Sequence, residues 1–225
     1  MSKKVSIIIT CYNLDRYITR AINSCLNQSL DQSLYEVVVV DDGSQDSSWD
    51  AISLFGDMDG VIKPIRLEKN KGVSSASNAA LSVCTGEYVM KVDGDDFINR
   101  NMLMTMCEVL DYNPEIGFVY CDHIIITEDQ HRTMRINTLE KLLDHGAGVM
   151  FRTDYIKALG GWNEKVKTRD DMDLLLRYMK NFDGYHLRIP FYRYNKREGS
   201  LSSMCLEREE EAEKIKRELN NVSKS

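Results

Sequence analysis

The sequence predicts an α/β fold: a mostly parallel, Rossmann-like sheet flanked by helices. Three observations predict it. Strand-length apolar runs alternate with helix-length amphipathic runs nearly four times within about the first hundred residues. The runs "VSIII" and "EVVVV" are β-branched and lack polar alternation, so both of their faces are to be buried. Three of the apolar strands are followed by short segments that hold Asp, Asn or Gly, the punctuation of strand-to-helix turns.

The elements follow in order. Residues 5–10 ("VSIIIT") read as a buried strand, and residues 15–28 as a helix with Tyr17, Ile18, Ala21, Ile22, Cys25 and Leu26 on one face. Residues 36–40 are a second strand, running into "DDGSQDSS" and a helix over 49–55. A third strand covers 61–67, and "NKGVSSASNAALSVC" gives a loop and then a helix. Residues 88–92 are a fourth strand, ending in an acidic cluster.

The second half is less regular. It predicts a helix over 102–110, a strand over 117–121 and a polar excursion or hairpin over 123–137. Residues 139–145 read as a helix, and "GAGVMFRTDYIKALGGWNE" as a strand, a short helix and a glycine turn. A helix over 171–180 starts near Asp170 or Thr168. One or two strands over 185–194 break at Pro190. The acidic-then-basic run 207–216 reads as a solvated or partner-packing helix without chemistry.

Composition limits the function. The chain has 225 residues, 43% of them apolar, which suits one good-sized domain. A net charge of −6 argues against a nucleic-acid partner. No apolar run approaches the ~20 residues that span a bilayer. Residues 1–4 lead straight into a strand, so no signal peptide is expected. The six cysteines lack any C-x-x-C pair and are expected to be free thiols.

In a parallel sheet, ligands bind beyond the carboxyl ends of the strands. Thr10-Cys11-Tyr12-Asn13, Asp41-Asp42-Gly43-Ser44 and Asp93-Gly94-Asp95-Asp96 all follow apolar strands, so they are expected at one edge. The last is D-x-D on a tight loop, and such a pair can reach one hard divalent cation. The competing reading is a polar turn in which Asp95 or Asp96 caps a helix beginning near Asn99. An EF-hand fails on spacing, because its glycine and glutamate positions hold Ile98 and Met104. A haloacid-dehalogenase-like phosphohydrolase stays open, although its nucleophile would ordinarily end the first strand, where Thr10 stands. No dinucleotide or P-loop fingerprint is present.

The blocks "VSIIITCYNLDRYITRAINSCLNQS", "EVVVVDDGSQDSS", "NKGVSSASNAAL", "GEYVMKVDGDDF", "LGGWNE" and "TRDDMDLLLR" resemble the family 2 glycosyltransferases over about residues 3–205. The resemblance implies a GT-A fold. Residues 1–97 would be the nucleotide-sugar-binding half, residues 98–205 the acceptor-binding half, and residues 206–225 a helical tail. It implies an inverting transferase that moves a sugar from a nucleoside diphosphate to an acceptor hydroxyl, with Mn²⁺ or Mg²⁺. UDP is the nucleotide expected, with GDP and dTDP as alternatives.

By the same resemblance, Thr10, Tyr12, Asn13 and Asp42 match nucleotide-binding positions. Tyr12 would pack on the base and Asp42 would accept its imide N–H. Asp93 resembles the ribose contact, Asp95 the metal ligand and Asp171 the general base. Asp96 would support the loop, and Asp170 suits a helix cap. About 100° of helix separates Asp170 from Asp171, so only one of the two is expected to face the sugar.

Many members carry arginine where this chain has Ser77, and Lys69 or Lys71 could replace that cation. Arg193, Lys196 or Arg197 could contact the diphosphate. His186 is expected to pack rather than bind metal. The acceptor would be a glycan or a lipid-linked glycan in cell-surface polysaccharide synthesis, at the cytosolic face of the membrane. The tail is a candidate for homodimerisation or membrane-surface docking, the latter disfavoured by its acidic stretch. A non-catalytic nucleotide-binding module is a further alternative.

Overall fold

A computed structural model of the chain describes residues 3–56, 60–197 and 205–222. Four strands form its first half: β1 (Val5–Cys11), β2 (Tyr35–Asp41), β3 (Ile62–Arg66) and β4 (Tyr88–Asp93). Helices α1 (Ile18–Leu26), α2 (Ser48–Ser53) and α3 (Val73–Val83) connect them. The second half holds β5 (Phe97–Ile98), α4 (Met102–Tyr112), β6 (Ile116–Ile126), β7 (Arg132–Arg135) and α5 (Leu139–His145). It continues with β8 (Val149–Arg152), α6 (Thr153–Ala158), α7 (Asp170–Tyr178), β9 (Asp183–Asn195) and α8 (Cys205–Val222).

One sheet runs through the molecule in the order β3-β2-β1-β4-β8-β6-β9-β5, and β7 extends it beside β6. Strands β1 to β4 are mutually parallel. Strand β8 inserts antiparallel between β4 and β6, so β6 regains the direction of β4, and β9 runs parallel to β6. The carboxyl ends of β1, β2, β4, β6 and β9 therefore share one edge.

The two-sided burial read from "VSIII" is observed. Ile7 and Ile9 enter the core cluster that includes α1, α2 and α4, and Ile8 enters the opposite cluster with α3, α6 and α7. Side-chain alternation puts neighbours on opposite faces, so a strand covered on both sides must be apolar at every position. Cys11, Cys25, Cys84, Cys107 and Cys121 are buried free thiols. No helix among the described residues is long and apolar enough to cross a membrane.

Several boundaries differ from those expected. Helix α1 starts at Ile18, because Leu14 O accepts the N–H groups of Tyr17 and Ile18 in a preceding turn. Strand β6 continues to Ile126, since β7 and β9 pair with its second half. Pro190 does not split β9. The register instead slips between the Cys121–Leu187 and Asp122–Pro190 pairs, and a proline lacking N–H is tolerated at such an irregularity. Helix α4 begins at Met102 behind Asn101, so neither Asp95 nor Asp96 caps it.

Candidate active site

A cleft of about 470 Å³ opens at the shared carboxyl edge. The β1–β2 register sets Cys11 beside Asp41, and the β1–β4 register sets Thr10 beside Asp93. Three strand-end segments thereby reach one place. Thr10, Tyr12, Asp42, Asp93 and Asp95 line the cleft from this side, and Lys167 to Asp171 line it from the other.

Asn13 faces away. Its backbone is left-handed (φ 53°), its N–H donates to Ser44 Oγ, and its side-chain oxygen accepts the Gln45 N–H. It ties the β1 and β2 loops together and is not among the lining residues. Asp42 is buried and accepts two amides at 2.8 Å, from Lys71 and Gly72, one on each oxygen. Burial raises its carboxyl above the usual range against those two donors. Tyr12 is 42% exposed and presents an open ring to the cleft.

The acidic loop "DGDD" divides its carboxylates among different partners. Asp93 Oδ1 lies 3.2 Å from Lys91 Nζ, and its N–H donates to the Tyr192 hydroxyl. Asp95 Oδ2 lies 2.7 Å from Arg197 Nε, and the Asp95 carbonyl accepts from Arg20. Burial and repulsion from Asp93 raise the Asp95 carboxyl, and Arg197 offsets part of this. Asp96 is buried and accepts the Asn195 N–H at 2.7 Å. It supports the loop by joining it to the end of β9.

Across the cleft, α7 begins with Asp170 and Asp171. Both reach Lys91, at 3.4 and 2.9 Å. The expectation that only one of them faces the cleft does not hold. A single ammonium placed between the first two helical residues draws both side chains inward. Asp170 is the first helical residue rather than the cap, which is Arg169.

Lys91 was not anticipated as a site residue. It shares a face of β4 with Asp93, two residues on, and that parity was the available signal. Burial opposes its charge, yet Asp170, Asp171 and Asp93 outweigh burial and hold the ammonium well above its ordinary range. Asp171 is pushed up to about 7 by burial and then by Asp170, with Lys91 acting in the opposite sense.

Asp171 has a second support. Trp162 Nε1 donates to Asp171 Oδ1 at 3.0 Å. Asn78 of α3 grips the Trp162 backbone twice, donating to its carbonyl and accepting its N–H, each at 2.9 Å. Arg177 binds the carbonyls of Leu159 and Gly161 and pairs with Asp173. The "LGGW" turn is thus fixed from α3 and α7, and it holds the indole against the carboxylate.

Neither Lys69 nor Lys71 lines the cleft. Among the described residues, the cations that line it are Lys91, Lys167, Arg169 and Arg197. Ser77 is fully buried in α3 and supplies no cation. His186 packs flat on Tyr120 and pairs with buried Asp122 at 2.7 Å, away from the cleft.

A divalent ion fits the residues present. Asp93 and Asp95 offer hard carboxylate oxygens at a strand end, and the raised Asp95 carboxyl marks negative charge that a cation would relieve. Among the described residues, no group of three or more His, Cys, Asp and Glu is arranged as a metal cage. Such an ion would draw its remaining ligands from phosphate and water, as Mg²⁺ commonly does.

Comparison with known proteins agrees with this architecture. An uncharacterized glycosyltransferase of Haemophilus influenzae is 32% identical over 73% of this chain and 60% of its own length. One from Nostoc is 36% identical over 67% of this chain and 46% of its own. The chondroitin synthase of Escherichia coli is 30% identical over 77% of this chain and 26% of its own. The chain therefore spans less than two thirds of the length of these curated relatives, from 26% to 60%. Among solved structures, S. aureus TarS 1-349 in complex with UDP-GlcNAc superposes with a TM-score of 0.75 at 25% identity, over 90% of this chain and 61% of that one. A mannosyltransferase from Pyrobaculum calidifontis, solved with GDP-Man and Mn²⁺, shares the fold with a TM-score of 0.74 at 21% identity. The fold is thus of the GT-A type seen in TarS. The model of the glycosyl transferase family 2 matches residues 6–200, and this chain belongs to that family.

Proposed function

We propose that this chain transfers a sugar from a UDP-sugar to an acceptor hydroxyl, with inversion at the anomeric carbon. The observation that carries the reading is the cleft itself: Asp93 and Asp95 on one wall, Asp171 with Trp162 on the other, and Lys91 pairing with both Asp93 and Asp171 between them. Thr10, Tyr12 and Asp42 would take the base, Asp93 the ribose, and Asp95 the diphosphate by way of a divalent ion. Asn13 would act by fixing the loop that carries Tyr12. Mn²⁺ or Mg²⁺, when bound, supplies neutralising charge to the leaving diphosphate.

Asp171 is the base in this reading. Its carboxylate accepts the proton of the acceptor hydroxyl as that oxygen bonds to the anomeric carbon. The bond from that carbon to the diphosphate oxygen breaks on the opposite face, and the nucleoside diphosphate departs with the electron pair. A carboxyl near 7 is matched to this task, because about half of it is ionised at neutral pH and the ionised form is still basic enough to take a proton. Lys91 and Trp162 fix its orientation.

The UDP-GlcNAc complex of TarS and the chondroitin synthase relatives support a UDP-sugar donor and a role in polysaccharide assembly. A cytosolic setting at the membrane face goes with that role. Family membership leaves the phosphohydrolase alternative without support. The test is donor hydrolysis and transfer over a panel of nucleotide sugars, with and without Mn²⁺. Asp95→Asn and Asp171→Asn should each abolish most turnover. Full turnover in both variants would dismantle these roles, and UDP binding without transfer to any acceptor would favour a non-catalytic module.

A further inference from the structure

The segment that delivers Asp170 and Asp171 is held from outside the sheet. Glu211 of α8 accepts the Lys167 N–H at 3.3 Å, the Thr168 N–H at 3.1 Å and the Thr168 hydroxyl at 2.9 Å. Ala212 and Ile215 of the same helix are buried, at 8% and 2% exposure. Positions 211, 212 and 215 fall on one helical face, so the buried stripe and the carboxylate present together. The outward residues Glu209, Glu210, Glu213, Lys214, Lys216 and Arg217 are exposed.

What Glu211 grips is part of the cleft. Lys167, Thr168 and Arg169 line it, and Asp170 and Asp171 follow at once. The bonds join residues more than forty positions apart, so local sequence does not impose them. An ionised carboxylate taking backbone N–H groups makes charge-assisted bonds, which are stronger than neutral ones. Lys167 to Arg169 lie just before α7, and the Arg169 carbonyl accepts the Asp173 N–H at 3.0 Å, so a hold on this segment bears directly on the first turn of the helix.

We infer that Glu211 is a positioning residue for Asp171, and that helix α8 belongs to the catalytic unit rather than forming an inert tail. The inference rests on the reading of Asp171 as base. Removing the carboxylate releases the Lys167 and Thr168 amides and lets the start of α7 drift from Lys91 and Trp162. Misplacement of a catalytic group by about an ångström is enough to slow a reaction strongly.

The test uses the full chain with Glu211→Ala, Glu211→Gln and Thr168→Val. Hydrogen exchange followed by mass spectrometry reads the amides of 167–172, independently of turnover. Steady-state transfer from a UDP-sugar reads kcat and donor KM. Glu211→Ala should raise exchange at 167–172 and lower kcat about tenfold with donor KM unchanged. Glu211→Gln keeps an acceptor oxygen and should recover most of the loss, and Thr168→Val should fall between them. Wild-type exchange and wild-type kcat in Glu211→Ala would overturn the inference. So would a loss of kcat and donor affinity together that glutamine does not rescue, which marks general destabilisation. If the wild-type chain turns over no donor, the proposed function fails, and the exchange result alone decides whether Glu211 orders the segment.

Discussion

Lys91 Nζ stands 2.9 Å from Oδ2 of Asp171, at the floor of the cleft and on the same strand face as Asp93. The ammonium favours the charged form of Asp171, while burial and Asp170 oppose it. A base must be unprotonated to act. Transfer should therefore fall as pH drops through about 7 and level off above it. Lys91→Met removes the stabilising charge, so the inflection should move to higher pH and the rate at pH 7 should decline. Stability should also drop, by about 3 kcal/mol or more, because buried carboxylates lose their counter-ion. A pH–rate profile of both proteins checks this, and an inflection that stays fixed or moves down contradicts it.

Arg197 occupies the Asp95 oxygen that a metal would use. Protein cation and metal should compete. Arg197→Gln should tighten Mn²⁺ binding in the absence of nucleotide, measured by the electron paramagnetic resonance signal of free Mn²⁺. The pair is partly exposed, so the gain is limited to roughly two- to fivefold. Asp95→Asn should act in the opposite direction. Unchanged Mn²⁺ affinity in both variants would remove Asp95 from the metal role.

Trp162 gives Asp171 an N–H, and Asn78 fixes the Trp162 backbone. Trp162→Phe keeps most of the ring and deletes the donor. The charged carboxylate then loses a stabilising bond, and transfer at pH 7 should fall about tenfold, with recovery at higher pH. Asn78→Ala leaves an N–H and a carbonyl unpaired and should cost about 1–3 kcal/mol in thermal unfolding. Wild-type rates at pH 7 in Trp162→Phe would show that the indole only packs.

Much of this site was legible in the sequence, and the limits have physical causes. Apolar strands ending in "TCYN", "DDGS" and "DGDD" fixed the edge, because a two-sided strand must be apolar and its turn polar. Lys91 was hidden inside an apolar run and becomes visible only through its parity with Asp93. The antiparallel insertion of β8 has no local signature, since pairing direction is decided by tertiary contacts. Glu211 sits in a highly charged helix whose composition reads as solvated, and only a long-range contact distinguishes it.

Gly146 offers the sharpest test of how tightly Asp171 is held. It ends α5 in the left-handed region (φ 55°), with its N–H on Leu142 O. A Cβ built there would lie 2.2 Å from Asp171 Cβ and 2.9 Å from its Cγ, so one of the two residues must move. Gly60 is the control: φ is 71° and nothing lies within 4 Å of its would-be Cβ. Both alanine variants carry the left-handed penalty of about 1–2 kcal/mol, and both should unfold at a lower temperature. Only Gly146→Ala displaces Asp171 from Lys91 and Trp162. Its kcat should fall about a hundredfold, while Gly60→Ala keeps wild-type turnover. Equal kcat in the two variants would mean that the position of Asp171 does not govern the reaction, and the base would have to be sought elsewhere in the cleft.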